Sequence, residues 1–583
     1  MHSHTLRKLA QPAENKARGI DTPQPKKPGF LTLFWAATTL LYVAFGRSFV
    51  EACYRGESIG ALNRIVAQHR SLDPEAHNLE FYQQKRITFF IEGSLLLGLV
   101  ESFLLLKARR PILFEKVTRA IRNFFMSVGH PVNLSVFRIV FFGFFAWWID
   151  LDNIIWFSQL PRELRVPPIG FGWFLNNEKT FDPVVVNILG LILRTACITA
   201  SVGLFARSSA FVVAAVGFFL CGIPQSYGKI DSYHFMIWFA LLLSVSRCAD
   251  ILSVDALVQR LKRADRTITV GPEPSLCYGL PLRFVWTLMG VTYFFGGLWK
   301  LIDGRWNWIF SENLRNHIFI RCYAIGRIPH FEHFLIGAPR WFFQLSAVAT
   351  IVFELSFPVL ILFPRTRILA AVGGLFFHNV LGLLMANTFW HLQVCYASFV
   401  DWHRIFRWFG QHCFGRPVCT QKEIQYSDAI PAGNTATIFG WRLISQPLIL
   451  VGVGLIATNT FFSLFKLHGW PFACGPTHNH IATPTIRAFA VERVDRAGYV
   501  SLVNRSEVFK GLSGERLSAI YDNIYRHPER PELAMAFCGF LRRTIPGWAD
   551  APSIRFYVER VSVLPTERSK NPLQRKLFFE CKQ

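Results

Sequence analysis

The chain has 583 residues, 51% of them hydrophobic, with 57 Phe and 17 Trp, and only 17% are charged. Soluble domains carry roughly 25% charge, so a soluble globular fold is excluded and an integral membrane protein is what remains. The formal net charge of +24 does not mark a nucleic-acid binder, because the bases are scattered over short loops beside apolar segments.

Residues 1–28 form a polar, basic tail without the architecture of a cleavable signal, so the first apolar segment is expected to stay as an anchor. With about 17–25 mostly apolar residues per crossing, spans are expected at 29–46, 87–107, 132–151, 184–206, 208–224, 233–252, 284–301, 342–363, 368–386 and 438–462, and a shorter run at 388–400 predicts a further helix or half-span. The fold class is therefore an all-α polytopic membrane bundle of about 10–11 spans, with a small α+β domain at the C-terminus. Polar residues inside these spans (Glu92, Glu101, Arg138, Arg194, Glu354) are expected to face the bundle interior.

In domain terms, 29–107 holds two N-terminal transmembrane helices with an exoplasmic insert, 108–131 an interfacial helix, and 132–410 the transmembrane core. Residues 411–437 are a cytoplasmic linker, 438–462 the last transmembrane helix and 463–583 the exoplasmic domain. Between 110 and 130, Ile112, Leu113, Val117, Ile121, Phe124 and Phe125 recur at helical spacing around Lys116, Arg119 and Arg122. That is the pattern of a helix lying on anionic headgroups, and a soluble amphipathic helix packed on the bundle reads the same.

The bases orient the chain. Arg7, Lys8, Lys16, Arg18, Lys26 and Lys27 precede the first span, and Lys107, Arg109, Arg110, Lys116, Arg119 and Arg122 follow the second. The positive-inside rule puts both groups, and so the N-terminus, in the cytoplasm. The acidic segment 152–183 then lies outside, and Arg247, Arg260, Lys262, Arg263 and Arg266 lie inside. If 388–400 crosses, the last span exports the tail. That tail predicts helices at 513–526 and 531–543 and strand-like runs at 554–564 and 575–580. Cys53, Cys322, Cys474, Cys538 and Cys581 fall on the outer side, where one bridge is allowed and none is required.

Several groups compete for chemistry. His330-Phe-Glu332-His333 and His478-Asn-His480 supply imidazoles, but a zinc site wants three or four ligands in a defined geometry, and no metal site is assigned. His378 and His391 lie in or beside spans, where an ionisable group marks a functional site by default. Lys229, in Pro224-Gln-Ser-Tyr-Gly-Lys229, stands just before an apolar run that ends in Ser253-Val-Asp-Ala-Leu257. A lysine desolvated at that boundary becomes a usable base; a headgroup anchor is the plain alternative. No GxSxG, P-loop, GxGxxG or HExxH pattern stands in a credible context.

The ordered set Asn133-Leu-Ser135-Val-Phe137-Arg138, Lys229 with Tyr233-His234, Ser253-Val-Asp255-Ala-Leu257, Tyr293-Phe-Phe-Gly-Gly-Leu-Trp-Lys300-Leu-Ile-Asp303 and Phe377-His378-Asn379 resembles the vitamin K-dependent γ-carboxylases and their bacterial relatives, the horizontally transferred transmembrane (HTTM) domain proteins. The resemblance covers roughly residues 130–410. Where the carboxylases carry Asn-Asn-His after their lysine, this chain reads Asp231-Ser-Tyr-His234. The resemblance implies a bacterial inner-membrane protein whose cofactor is a reduced vitamin K-type quinone, with no metal. It implies Lys229 as the base that deprotonates the quinol, with His234 beside it, and Lys300, His378 and Arg138 as cofactor-binding residues. Oxygen then turns the quinol into a base strong enough to take the γ-proton of a glutamate, and the carbanion captures carbon dioxide. The implied partners are membrane lipids, the quinone and an exported polypeptide. Two other classes stay open: a non-catalytic bundle that binds lipid, quinone or a small molecule, and a maturation or transport factor, comparable to lipase maturation factors, whose tail docks exported proteins.

Overall fold

A computed structural model describes residues 30–60, short stretches between 62 and 107, and 110–172, 174, 178–228, 230, 233–262, 272–325, 331–414, 446–467, 469–472, 478–502 and 514–583. The basic tail, Glu92, Lys229, His330, Cys474 and nearly all of the 411–437 linker lie outside the described residues. The chain divides into two compact units, one from 1–67 and 78–109 and the other from 68–77 and 110–583.

In the first unit, α1 (Phe30–Arg55) is longer than the expected 29–46 span. It exposes Leu40, Leu41, Val43 and Phe45 and continues through an Arg47–Glu51 ion pair one turn apart. Most of the 87–107 span falls outside the described residues.

In the second unit the chain runs through α2 (Pro111–Phe125), α3 (Pro131–Trp148), α4 (Pro183–Val202), α5 (Ala206–Gly222), α6 (His234–Ser244), α7 (Val254–Lys262), α8 (Leu276–Gly304), α9 (Asn313–Ile325), α10 (Arg340–Leu362), α11 (Pro364–Met385), α12 (Trp402–Phe414) and α13 (Gln446–Leu464). Seven helices among the described residues are long and apolar enough to cross a membrane: α3, α4, α5 with its extension to Tyr227, α8, α10, α11 and α13. The multi-pass helical class is therefore present, with packing supplied by a continuous aromatic core in which Phe137, Phe141, Phe142 and Phe145 of α3 are fully buried.

Two boundaries differ from the hydropathy reading for identifiable reasons. The 233–252 run yields only the 11 residues of α6, because Arg247 turns to Asp250 at 2.7 Å and Leu252 takes a left-handed φ of 51°. At about 1.5 Å per residue α6 is too short to span, and nearly all of it is buried inside the bundle. Conversely, α8 starts at Leu276 and not at 284. Its polar first turns are retained by tertiary partners, Tyr278 donating to Asp250 at 2.6 Å and Arg283 to Ser127 at 2.8 Å. The last span is described from Gln446 onward, and 438–445 lie outside the described residues. Arg194 is exposed and reaches the Ile149 carbonyl at 3.3 Å, so it does not face the interior.

The bundle has two unlike ends. Between Arg283 and Lys300 α8 rises about 25 Å, close to the hydrocarbon thickness of a bilayer. At the Arg283 end, Arg283 and Arg367 both lie over the Trp286 ring at 4.1 and 5.2 Å. The amphipathic helices α2, α7 and α12 gather there, exposing Lys116, Arg119, Arg122, Arg260, Lys262, Arg404 and Arg407. The 388–400 segment is a short turn, Trp390–Gln393, continued by a 3-10 helix, Val394–Phe399. It runs from Phe389 beside His378 to Ser398, which accepts from Trp286 at 2.9 Å, and so joins the two ends.

The Lys300 end carries the α+β domain. Its antiparallel sheet has the order β2-β1-β3-β4, from β1 (Thr485–Val494), β2 (Val500–Leu502), β3 (Ser553–Ser562) and β4 (Gln574–Lys582). Two helices, α14 (Gly514–Arg526) and α15 (Pro531–Thr544), pack through Tyr521 and Phe537 onto Phe489 and Phe556. Both helices and the later strands match the expected runs; β1 and β2 were not singled out. Asn313 and Asn316 of α9 clamp the backbone of Ala482 at 2.7 and 2.9 Å, and Arg516 sits over Phe157 at 5.2 Å. Cys53, Cys322, Cys538 and Cys581 are free and buried.

Candidate functional site

At the Lys300 end the helices leave a cavity of about 130 Å³. Its polar wall includes His234, Lys300, Glu354, His378, His317 and His478, and its apolar wall includes Phe235, Phe377, Phe389 and Leu392. Three residues named from the sequence, His234 at the start of α6, Lys300 near the end of α8 and His378 in α11, therefore meet at one place.

Lys300 is not a free ammonium. Its Nζ donates to both oxygens of Glu354, at 2.7 and 2.8 Å, and to the Gly296 carbonyl at 3.4 Å, with the Trp308 ring 5.7 Å away. Both side chains of the pair are buried. Two charges removed from water are tolerated only when each compensates the other and the remaining hydrogen bonds are made. Gly297 permits this approach, since a Cβ there would meet the Glu354 Cβ at 3.0 Å.

About two α-helical turns before Lys300 on α8, the Tyr293 hydroxyl is 2.5 Å from His378 Nε2 and 2.5 Å from the Tyr396 hydroxyl. His378 Nδ1 is buried and has no hydrogen-bond partner among the described residues. Around His234 the walls are aromatic: Phe235 and Trp238 lie at 4.2 and 4.7 Å, and the His391 ring at 6.3 Å.

The rim on the side of the α+β domain is built of imidazoles. His317 of α9 packs edge-on to His478 and His480 at 5.0 and 4.9 Å and donates through Nε2 to the His480 carbonyl at 3.1 Å. Trp308 donates to the His478 carbonyl at 2.8 Å. Burial pushes His317 down to about 4 against the opposing effect of its hydrogen bond to the His480 carbonyl, and burial likewise pushes His478 down to about 3. Both are neutral near pH 7. No group of three or more His, Cys, Asp or Glu among the described residues is arranged to hold a metal ion.

The other two named residues are elsewhere. Lys229 lies outside the described residues, between Gly228, which takes φ 105° against Ala519 of α14, and Ile230, whose amide donates to Gln225 at 2.9 Å. Arg138 does not line the cavity. It is fully buried among backbone carbonyls, donating to Cys248 at 3.0 Å, Ser201 at 3.3 Å and Leu252 at 2.5 Å. Asp255, from the same motif set, accepts the amides of Phe205 and Ala206 at 2.9 Å each and caps α5. Asn133 joins Asp401 at 3.3 Å and the His403 amide at 3.0 Å.

Sequence reasoning did not pair Glu354 with Lys300, although a lone acid and a lone base in consecutive spans are a readable signal. Tyr396 and His317 gave no such signal, because their partners are supplied only by the fold. No protein-family model matches this chain, and neither a curated protein nor a solved structure is detectably similar to it.

Proposed function

We propose that the cavity holds the ring of a lipid-soluble quinol at the outer face of a bacterial inner membrane, and that the chain couples quinol oxidation to carboxylation of glutamate in an exported polypeptide, in the manner of the vitamin K-dependent γ-carboxylases and HTTM proteins. The observation that carries this reading is the convergence of His234, Lys300 and His378, from three helices, on one cavity. The gathering of exposed bases at the opposite end of the bundle supports the outer placement, since cytoplasmic loops are the basic ones.

The residues present fit such a ring. Phe377 and Phe389 offer flat apolar faces, while the unpartnered His378 Nδ1 and the Lys300–Glu354 pair offer polar groups at separate points of the wall, as a small ligand with few oxygens requires. The quinol supplies two electrons and, with dioxygen, the strong base: hydroquinone, dioxygen, a glutamyl γ-C–H and carbon dioxide balance to quinone epoxide, γ-carboxyglutamate and water. Lys229 takes the proton of a ring hydroxyl in this reading. His234, five residues on in the sequence, lines the cavity. Lys300, held by Glu354, orients the ring and stabilises charge that develops on its oxygen; the neutral rim imidazoles add no competing positive charge.

Membranes bearing the full chain, given reduced naphthoquinone, labelled bicarbonate and a glutamyl peptide, are expected to fix label, and Lys229→Ala to abolish fixation. Wild-type membranes that fix no label and form no epoxide sink the carboxylase reading. The closed Lys300–Glu354 pair favours a second one, binding of a quinone or lipid without turnover, for which quinone would co-purify with the protein while no label is fixed.

A further inference from the structure

The proton count along Tyr396, Tyr293 and His378 has two possible directions. If His378 carried its proton on Nε2 it would donate to Tyr293, and Tyr293 to Tyr396. The Tyr396 proton would then have no acceptor in a buried site, which costs the desolvation of that group. In the opposite direction Tyr396 donates to Tyr293 and Tyr293 to His378 Nε2. Both hydroxyl protons are then used, and the one donor left over is Nδ1–H on His378, which lines the cavity where a ligand can accept from it, whereas Tyr396 does not line the cavity. One turn before His378, a Cβ on Gly374 would collide with the Tyr396 hydroxyl, so the hydroxyl is admitted to α11 because position 374 has no side chain.

We propose that Tyr396 and Tyr293 form a one-way hydrogen-bond relay that holds His378 as an Nδ1–H donor into the cavity, so that the site selects a ligand presenting an acceptor oxygen on an apolar ring. This rests on the cavity being a ligand site, and it deepens that reading by assigning the polarity of the contact. Tyr293 and Tyr396 are positioning residues that act through His378. The half-buried aromatic walls around the buried His378, Phe377 at 5.3 Å and Phe389 at 5.2 Å, leave an oxygen acceptor as the complement of the N–H.

The tautomer is measurable without any ligand. Full-length protein in lipid bilayers, labelled with ring-15N histidine, is compared with its His378→Asn variant so that the difference spectrum isolates His378. The expected spectrum has a protonated Nδ1 and a bare Nε2, and Tyr293→Phe and Gly374→Ala both shift the proton toward Nε2. A wild-type Nε2–H signal overturns the relay. Binding of a naphthoquinone, followed by tryptophan quenching, gives the second readout. His378→Asn, whose amide N–H stands where Nδ1–H stood, should keep affinity within about two-fold, while His378→Gln and Tyr293→Phe lose about ten-fold. Equal affinity of the Asn and Gln variants overturns the donor assignment. A wild-type protein with the expected tautomer that binds no naphthoquinone sinks the quinol reading and leaves the donor in place.

Discussion

At one end of the bundle Arg138 directs its guanidinium to three backbone carbonyls, Cys248, Ser201 and Leu252, and at the other Lys300 meets the Glu354 carboxylate beside a cavity. Both cations are buried inside apolar helices. The first is compensated by groups that cannot move without unwinding the chain, since Ser201 ends α4 and Cys248 and Leu252 lie in the turns after α6. The second is compensated by a side chain, and side chains can be re-paired. A buried charge tied to backbone is a lock; one tied to a side chain next to empty space is available to a ligand. Of the ordered motifs that carry the carboxylase resemblance, Arg138 and Asp255 belong to the lock and Tyr293, Lys300 and His378 to the cavity.

The contrast is broken most directly at the lock. Arg138→Met removes the guanidinium while keeping much of its volume, and it leaves three carbonyls without their donor. A loss on the order of 5 kcal/mol is expected, enough to abolish a monodisperse peak in size-exclusion chromatography. An unchanged peak and thermal midpoint would show that the carbonyls find other donors. At the cavity, Lys300→Met alone strands a buried carboxylate and should cost about 3–5 kcal/mol. The double variant Lys300→Met with Glu354→Leu should regain most of that stability without regaining ligand binding. If the double variant is as unstable as the single one, the pair is a lock as well and the distinction between the two ends falls.

Legibility in the sequence follows the same division. The long helices α3, α4, α10 and α11 were readable to within a few residues, because lipid demands apolar surface along their whole length whatever the partner. Hydropathy misjudged α6 and α8 where tertiary contacts decide: Arg247 and Asp250 end one helix, and Asp250 with Ser127 retains the polar start of the other. His378 was legible as a titratable group at membrane depth, while His234 and Lys300 were named only through the family resemblance. Their meeting was not legible, because it depends on the short path of 390–399 that brings Phe389 to His378 and Tyr396 to Tyr293. Strand β1, with Phe489 and Val491 buried against α14 and its neighbours, was obscured by Arg487, Glu492 and Arg493, which the sheet satisfies through Asp522, Arg575 and the Gly547 carbonyl.

The rim imidazoles add a pH dependence that the lock lacks. His317 titrates near 6.5 when unfolded and near 4 in the fold because it is buried. The unfolded chain therefore takes up the proton first. Stability from neutral His317 is fully present above pH 6.5 and is lost as pH falls toward 4, by about 3 kcal/mol over the whole window. His317→Gln should flatten that part of the curve of melting temperature against pH. A wild-type curve that is level between pH 7 and 4 would mean that the rim opens to water and the imidazoles ionise freely.

The smallest effect separates charge from hydrogen bonding at the lock. Asp255 accepts two amides, Phe205 and Ala206, at the start of α5, where an anion also meets the positive end of the helix. Asp255→Asn keeps one acceptor oxygen and removes the charge, so about 1 kcal/mol should be lost. Asp255→Ala removes both and should lose more. Because the carboxylate side chain is only half-buried, the difference between wild type and Asp255→Asn should shrink as salt is raised, whereas that between Asp255→Asn and Asp255→Ala should not. A wild-type to Asn difference that is insensitive to salt would assign the whole cap to hydrogen bonding, and would make the lock a purely backbone device on both of its faces.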